Sequence, residues 1–262
     1  MSTKRFGIAM LLCLSVTAAG TVIADDFLVP GVDFSKLDLR TGAWCRYIVV
    51  DEALNQIDST EVYVAVVDAE DTRQGAAYWV ELKSGLIGAG PDDGEALKLL
   101  ILERITEFSE GDSFGDFVLR LYIKRGANPM AEEDPREHEE FSTIVPTADS
   151  SWVTVPNVPI GTPGGEFTCE KKTRSVRTEQ EIPTGKIKLI KKARDDYSVW
   201  FCADVPVFRM ARCVIERSRE TDTVPRVTGI PSSGVKESRT AAELVAFGYD
   251  AKPMLITDPD SR

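Results

Sequence analysis

The chain has 262 residues, 43% of them hydrophobic and 28% charged, with 42 acidic residues against 31 basic ones and a net charge of −11. That apolar share excludes a disordered chain and suits a folded domain with a sizeable core. The acidic balance excludes a nucleic-acid-binding protein, whose surface must be basic to meet phosphates.

Residues 1–24 read as a secretory signal peptide. Lys4 and Arg5 form its positive start, Phe6–Val16 is apolar apart from small residues, and Val22-Ile23-Ala24 precedes a cleavage point before Asp25. The apolar run falls short of the roughly 18 residues that suggest a spanning helix. Leu12 stands before Cys13 where a lipoprotein signal needs a small residue. No later segment is apolar and long enough to span a bilayer. The protein is therefore expected to be exported, to the periplasm or out of the cell. Without Lys4 and Arg5 the basic residues fall from 31 to 29 against 42 acidic ones, a charge of −13. An anionic membrane surface would repel such a chain overall. Cys13 is lost too, leaving Cys45, Cys169, Cys202 and Cys213, an even set that points to two disulfides in an exported protein.

From Gly42 onward the pattern is of short β-type runs separated by turn residues. Ala43–Val50, Glu61–Val67, Ala76–Lys83, Leu97–Ile105 and Phe117–Lys124 read as strands in the first half. Glu166–Thr173, Lys186–Ala193, Tyr197–Ala203, Arg209–Arg217 and Ala242–Phe247 follow, with Met254–Thr257 as a last short one. Helix candidates are short: Pro129–Phe141 and Glu237–Val245. Period-2 alternation gives each strand one apolar and one wet face, as in antiparallel sheet. The expected fold class is mainly β (β-rich α+β): a single curved antiparallel sheet, half-barrel or barrel-like, with few short helices. One domain over residues 25–262 is expected, with a mobile loop near 222–238 that is rich in Pro, Ser, Thr and Gly.

If Val207 and Phe208 sit at the centre of a tight reversal, Cys202 falls opposite Cys213. A bridge is then within reach at a non-hydrogen-bonded pair, and Cys45 with Cys169 is the remaining couple. No CxxC motif supports thiol exchange.

The chemistry-bearing motifs are weak. His138, the only imidazole, lies in an acidic run (Glu132, Glu133, Asp134, Glu137, Glu139, Glu140) that lacks the spacing of a calcium loop and reads as solvated surface. Ser233-Gly234-Val235-Lys236 matches S-x-x-K but sits in a Pro/Gly loop without companion motifs. Gly88-Ala89-Gly90 leads into the turn Pro91-Asp92-Asp93-Gly94 rather than a phosphate loop. No catalytic constellation, metal-ligand set or cofactor motif emerges, and the chain reads as non-enzymatic.

Several segments resemble a group of exported bacterial β-proteins of uncharacterised role. They are Gly42-Ala43-Trp44, Ala77–Leu82, Leu121–Gly126 with Asn128-Pro129-Met130, Gly165–Cys169, Val199-Trp200-Phe201 before Val205-Pro206, and Glu243–Gly248. The strand order is similar to that of the periplasmic lipoprotein carrier and receptor proteins of the Lol system. That resemblance implies a curved half-barrel with an apolar concavity able to hold acyl chains.

Two functional expectations result. In the first, an apolar or lipidic ligand lies in the curl of the sheet against Tyr78, Val80, Leu82, Phe117, Leu119, Leu121 and Ile123. In the second, an envelope protein partner docks on one of two charged segments. One is a basic hairpin over 170–194, where nine cations face three acids and Lys186, Lys188, Lys191, Lys192 and Arg194 lie on the second strand. The other is the acidic segment 131–140.

Overall fold

The computed structural model describes residues 32–33, 36–53, 56–87, 94–107, 112–137, 152–184, 187–224 and 233–255. The expected signal peptide, His138 and Lys186 lie outside them. Eleven strands follow in chain order: β1 (Trp44–Ala53), β2 (Gln56–Thr72), β3 (Gly75–Leu86), β4 (Glu95–Leu102), β5 (Val118–Arg125), β6 (Ala131–Glu133), β7 (Val153–Thr162), β8 (Gly165–Thr184), β9 (Ile187–Phe201), β10 (Met210–Val224) and β11 (Ser233–Gly248). They form one open antiparallel sheet, ordered β6-β5-β4-β3-β2-β1-β11-β10-β9-β8-β7. Two meanders thus meet where the last strand pairs with the first, Trp44 opposite Gly248 and Ala53 opposite Ser238. This is the curved antiparallel sheet that the alternation predicts.

The curl is visible in contacts that skip strands. Two strands, β9 and β10, separate β8 from β11, yet Phe167 and Phe247 place their ring centroids 5.9 Å apart. In the β7–β8 turn the Gly164 N–H donates to the Leu244 carbonyl at 3.1 Å. A Cβ on Gly164 would lie 3.2 Å from that oxygen, a tight contact that glycine avoids. The concave face carries the main core, formed by both meanders: Tyr47, Val64, Val80, Leu99 and Leu121 from one, Val199, Cys213, Ile215 and Leu244 from the other.

The convex face is crossed by the C-terminal segment. Trp44, Ala65, Glu81 and Lys98 stand in register across β1–β4, and residues 249–255 run along that row. Trp44 donates its indole N–H to Asp250 at 2.8 Å. The Glu81 carboxylate, fully buried, accepts the backbone N–H groups of Met254 at 2.9 Å and Leu255 at 3.1 Å. Lys98 lies 3.4 Å from Glu81 and donates to the Leu255 carbonyl at 3.0 Å. At the start of this strap Gly42 has φ +90°, and a Cβ there would meet the Tyr249 carbonyl at 2.6 Å.

Several expectations are corrected. Glu237–Val245 is not helical but part of β11, a central strand whose two neighbours impose pairing over helix propensity. Over Pro129–Phe141 the described residues form β6 and the 3-10 turn Pro135–Glu137. Met254 and Leu255 belong to the strap rather than to a strand. β10 and β11 take up much of the stretch assigned to a loop, with Thr221 paired to Ser233. Strand β7 was not anticipated because it carries Pro156 and Pro159, which only an edge strand tolerates. Its ladder breaks between Val155 and Val158, around Asn157 at φ +56°.

The cysteine pairing also differs. The disulfide joins Cys169 to Cys202, not Cys202 to Cys213. The β9–β10 reversal is wider than a tight turn, so β10 pairs Cys213 with Val199 instead. Glu170 opposes Phe201, which leaves Cys169 and Cys202 facing each other one step beyond, Cα atoms 4.6 Å apart. Cys45 and Cys213 are buried thiols.

Three outcomes are expected. A thiol reagent will leave Cys45 and Cys213 unlabelled in the native protein and label both after denaturation. Replacing Cys169 and Cys202 by serine will cost about 3 kcal/mol in a denaturant titration, from the loop they close. Glu81→Ala will remove the acceptor of two backbone N–H groups beside Lys98 and cost about 3 kcal/mol. Limited proteolysis should then release residues beyond Asp250 first.

Candidate functional site

The concave apolar face has no second sheet or long helix to cover it among the described residues. Three irregular segments take that role. Leu37 and Leu39 come from the chain before β1, Ile105 and Phe114 from the two 3-10 turns between β4 and β5, and Val205, Val207 and Phe208 from the β9–β10 loop. Val207 at φ +59° and Arg209 at φ +50° turn this loop back over the sheet. There Phe208 packs on Tyr47 with centroids 6.2 Å apart. Tyr47 donates its hydroxyl to the Met210 carbonyl at 2.8 Å, and the Cys45 thiol points to the Pro206 carbonyl at 2.9 Å. Burial pushes the Cys45 pKa up to about 12, so it stays a protonated thiol.

Polar contacts hold the first segment down. The Asp38 N–H donates to the Val207 carbonyl at 2.8 Å. Lys36 pairs with Glu170 at 2.9 Å and lies 4.2 Å from the Phe201 ring centroid, next to the disulfide. The Asp38 carboxylate, nearly buried, accepts from Arg40 Nε at 2.8 Å, and Arg40 also donates to the Tyr249 hydroxyl at 2.9 Å. Burial disfavours ionisation of Asp38, but the guanidinium of Arg40, helped by Arg209, outweighs it and holds the pKa below the usual carboxylate value.

Of the expected ligand-lining residues, Val80, Leu82, Phe117, Leu121 and Ile123 belong to the concave core, and Tyr78 packs against it half-buried. Leu119 does not. The ladder between β4 and β5 shifts after Leu100, so Val118 opposes Ile101 and takes the inward position. Leu119 turns to the convex face and packs against Ala77, Leu100 and Leu102. The covering side chains had no sequence signal beyond apolar residues in stretches without strand alternation, such as Val205-Pro206-Val207-Phe208.

In the basic hairpin, carboxylates meet Lys188 and Lys192 across strands and Arg194 along its own strand. Lys188 pairs with Glu181 at 2.9 Å, Lys192 with Asp222 at 3.3 Å and Arg194 with Asp196 at 2.8 Å. Lys191 is exposed. In the acidic segment Glu133 pairs with Arg125 at 2.6 Å. A solvent-open groove of about 830 Å³ lies between the β1–β2 and β10–β11 ends. Ile57, Val235, Arg217, Lys236 and Arg239 line it together with Glu52 and Glu216. Among the described residues no three His, Cys, Asp or Glu side chains converge as a metal site, and no helix is long and apolar enough to cross a membrane.

No protein-family model matches the chain, and no curated protein matches it. Among solved structures it is similar to a protein assigned as exported, with a YmcC-like fold, from Bacteroides fragilis NCTC 9343. That match has 11% identity and a TM-score of 0.34, covering 81% of this chain and 99% of that one. A chain assigned as a lipoprotein from Parabacteroides distasonis matches with 11% identity and a TM-score of 0.31, over 81% and 99% of the two chains. A DUF1329-family protein from Desulfovibrio piger matches with 6% identity and a TM-score of 0.28, over 80% and 85%.

The Asp38 contacts carry a pH signature. A carboxylate whose folded pKa is depressed adds stability above its unfolded value, near 3.9, and loses it as pH falls through the lower folded value. Asp38→Asn is therefore expected to be less stable than wild type at pH 6. The gap should narrow steadily below about pH 4, measured by urea titration across that range.

Proposed function

We propose that this is an exported, non-enzymatic protein of the cell envelope that binds an apolar or lipidic ligand on the concave face of its sheet. One observation carries the reading: the apolar sides of both meanders converge on one face, and that face is covered by irregular segments. Tertiary packing normally buries a sheet's apolar face under a second regular layer. Segments joined to the sheet by a few hydrogen bonds and ion pairs open at lower free energy than such a layer. Displacing Leu37, Leu39 and Phe208 would expose aliphatic surface suited to acyl chains. The resemblance to the Lol carriers and the signal-like residues 1–24 point the same way.

Docking of an envelope protein is the second reading, favoured by the edge strand β7. Its outer edge has no partner strand among the described residues, and Trp152, Val153 and Val155 beside it are exposed. An extended segment of a partner pairs readily with such an edge.

Protein purified from its native host without detergent, then denatured and extracted, is expected to release acyl-chain molecules seen by mass spectrometry. A clean extract, together with no uptake of added fatty acid by the native protein, would contradict the ligand-binding reading.

A further inference from the structure

The concave face of the C-terminal meander changes character halfway along its strands. Val199, Cys213 and Ala242 oppose one another in the core, and Tyr197, Ile215 and Thr240 form the next row. Beyond them the same alternation brings Arg217 beside Asp195 and Ser238, then Arg219 beside Ala193 and Lys236, then Lys191 beside Thr221. Arg174 on β8 shares this face, opposite Tyr197. Past the core, the inward positions of these four strands thus carry Arg174, Lys191, Arg217, Arg219 and Lys236 against Asp195 alone. The convex positions of the same stretch mix both signs, with Glu179, Glu181, Asp196, Glu216, Glu220, Asp222 and Glu237 against Arg177, Lys188, Lys192, Arg194 and Arg239. The cationic excess of this stretch therefore lies on its concave side.

Two of the cations are held in place. Arg217 donates to the Thr240 hydroxyl at 2.8 Å, and that hydroxyl donates to Asp51 at 2.6 Å. Arg219 grips Asp195 with both terminal nitrogens, the second bond being 3.0 Å. Lys191 and Lys236 are exposed beside them. A cationic surface continuous with an apolar one complements a molecule that is anionic at one end and aliphatic at the other.

Building on the acyl-ligand reading above, we propose that the ligand is an anionic amphiphile. Its chain lies on the apolar part of the concave face, and its anionic head group meets Arg217, Arg219, Lys191 and Lys236. The test is calorimetric titration at low salt, below the micellar range. The probes are lysophosphatidylglycerol, lysophosphatidylcholine of the same chain length, and glycerol phosphate, which has no chain. Wild type is expected to bind the anionic lysolipid about tenfold more tightly than the zwitterionic one, with glycerol phosphate far weaker than either. Lys191→Gln/Lys236→Gln should lose most of that preference. Lys188→Gln/Lys192→Gln, on the convex face, should keep it. Thermal melts of both variants, altered only at exposed lysines, check that they are folded. Equal binding of the two lysolipids by wild type would overturn the head-group site and leave the acyl reading standing. Retention of the preference in Lys191→Gln/Lys236→Gln would likewise overturn the assigned site. Glycerol phosphate binding as tightly as the lysolipid would overturn the amphiphile in favour of a plain anion. Failure of every probe would overturn both readings.

Discussion

A lone sheet has an apolar face and nothing regular to set against it, and this constraint governs the molecule. Curling brings the two halves of the concave face toward each other, as the contacts of Phe167 with Phe247 and of Gly164 with Leu244 record. The joint between β1 and β11 makes that possible, because it turns two meanders into one continuous surface. What the curl leaves uncovered is closed by loops. Most of their apolar side chains are buried like those of the strands, but apart from the Asp38–Val207 bridge their backbones lack ladder hydrogen bonds. Local opening is therefore expected there before anywhere in the sheet.

The convex face is handled differently. A water-facing sheet surface needs no cover, yet Glu81 sits fully buried on it. The strap from Tyr249 to Leu255 explains why: its N–H groups satisfy the carboxylate and its carbonyl satisfies Lys98. A buried acid without these partners would be costly. The strap fixes the convex side of β1–β4, and the disulfide fixes the β8–β9 end where Lys36 anchors the first covering segment.

Much of the sheet was legible in the alternation, since period 2 is a local property of each strand. Tyr78, Val80 and Leu82 face the core as their spacing implied. Where the period slips, reading by alternation fails: one ladder shift between β4 and β5 sends Leu119 to the opposite face. Strand β7 was hidden by its prolines, and the single long strand β9 by its central Asp195 and Asp196, which Arg219 on β10 and Arg194 on β9 itself accommodate. The disulfide was missed because eight loop residues replaced a tight turn, a length that no local pattern records. The cationic excess on the concave side was equally invisible, because it needs the register of four strands at once. Counting 170–194 as one basic segment merged two faces that behave differently.

The central claim is that acyl chains reach the concave face beneath its covering loops. Photo-crosslinking with a diazirine-bearing fatty acid, followed by peptide mapping, tests it most directly. Labels are expected on peptides containing Val80–Leu82, Leu121–Ile123 and Val205–Phe208, with competition by unmodified fatty acid. Labelling confined to convex-face residues such as Trp79 and Lys98, or labelling that excess fatty acid does not displace, would contradict the account.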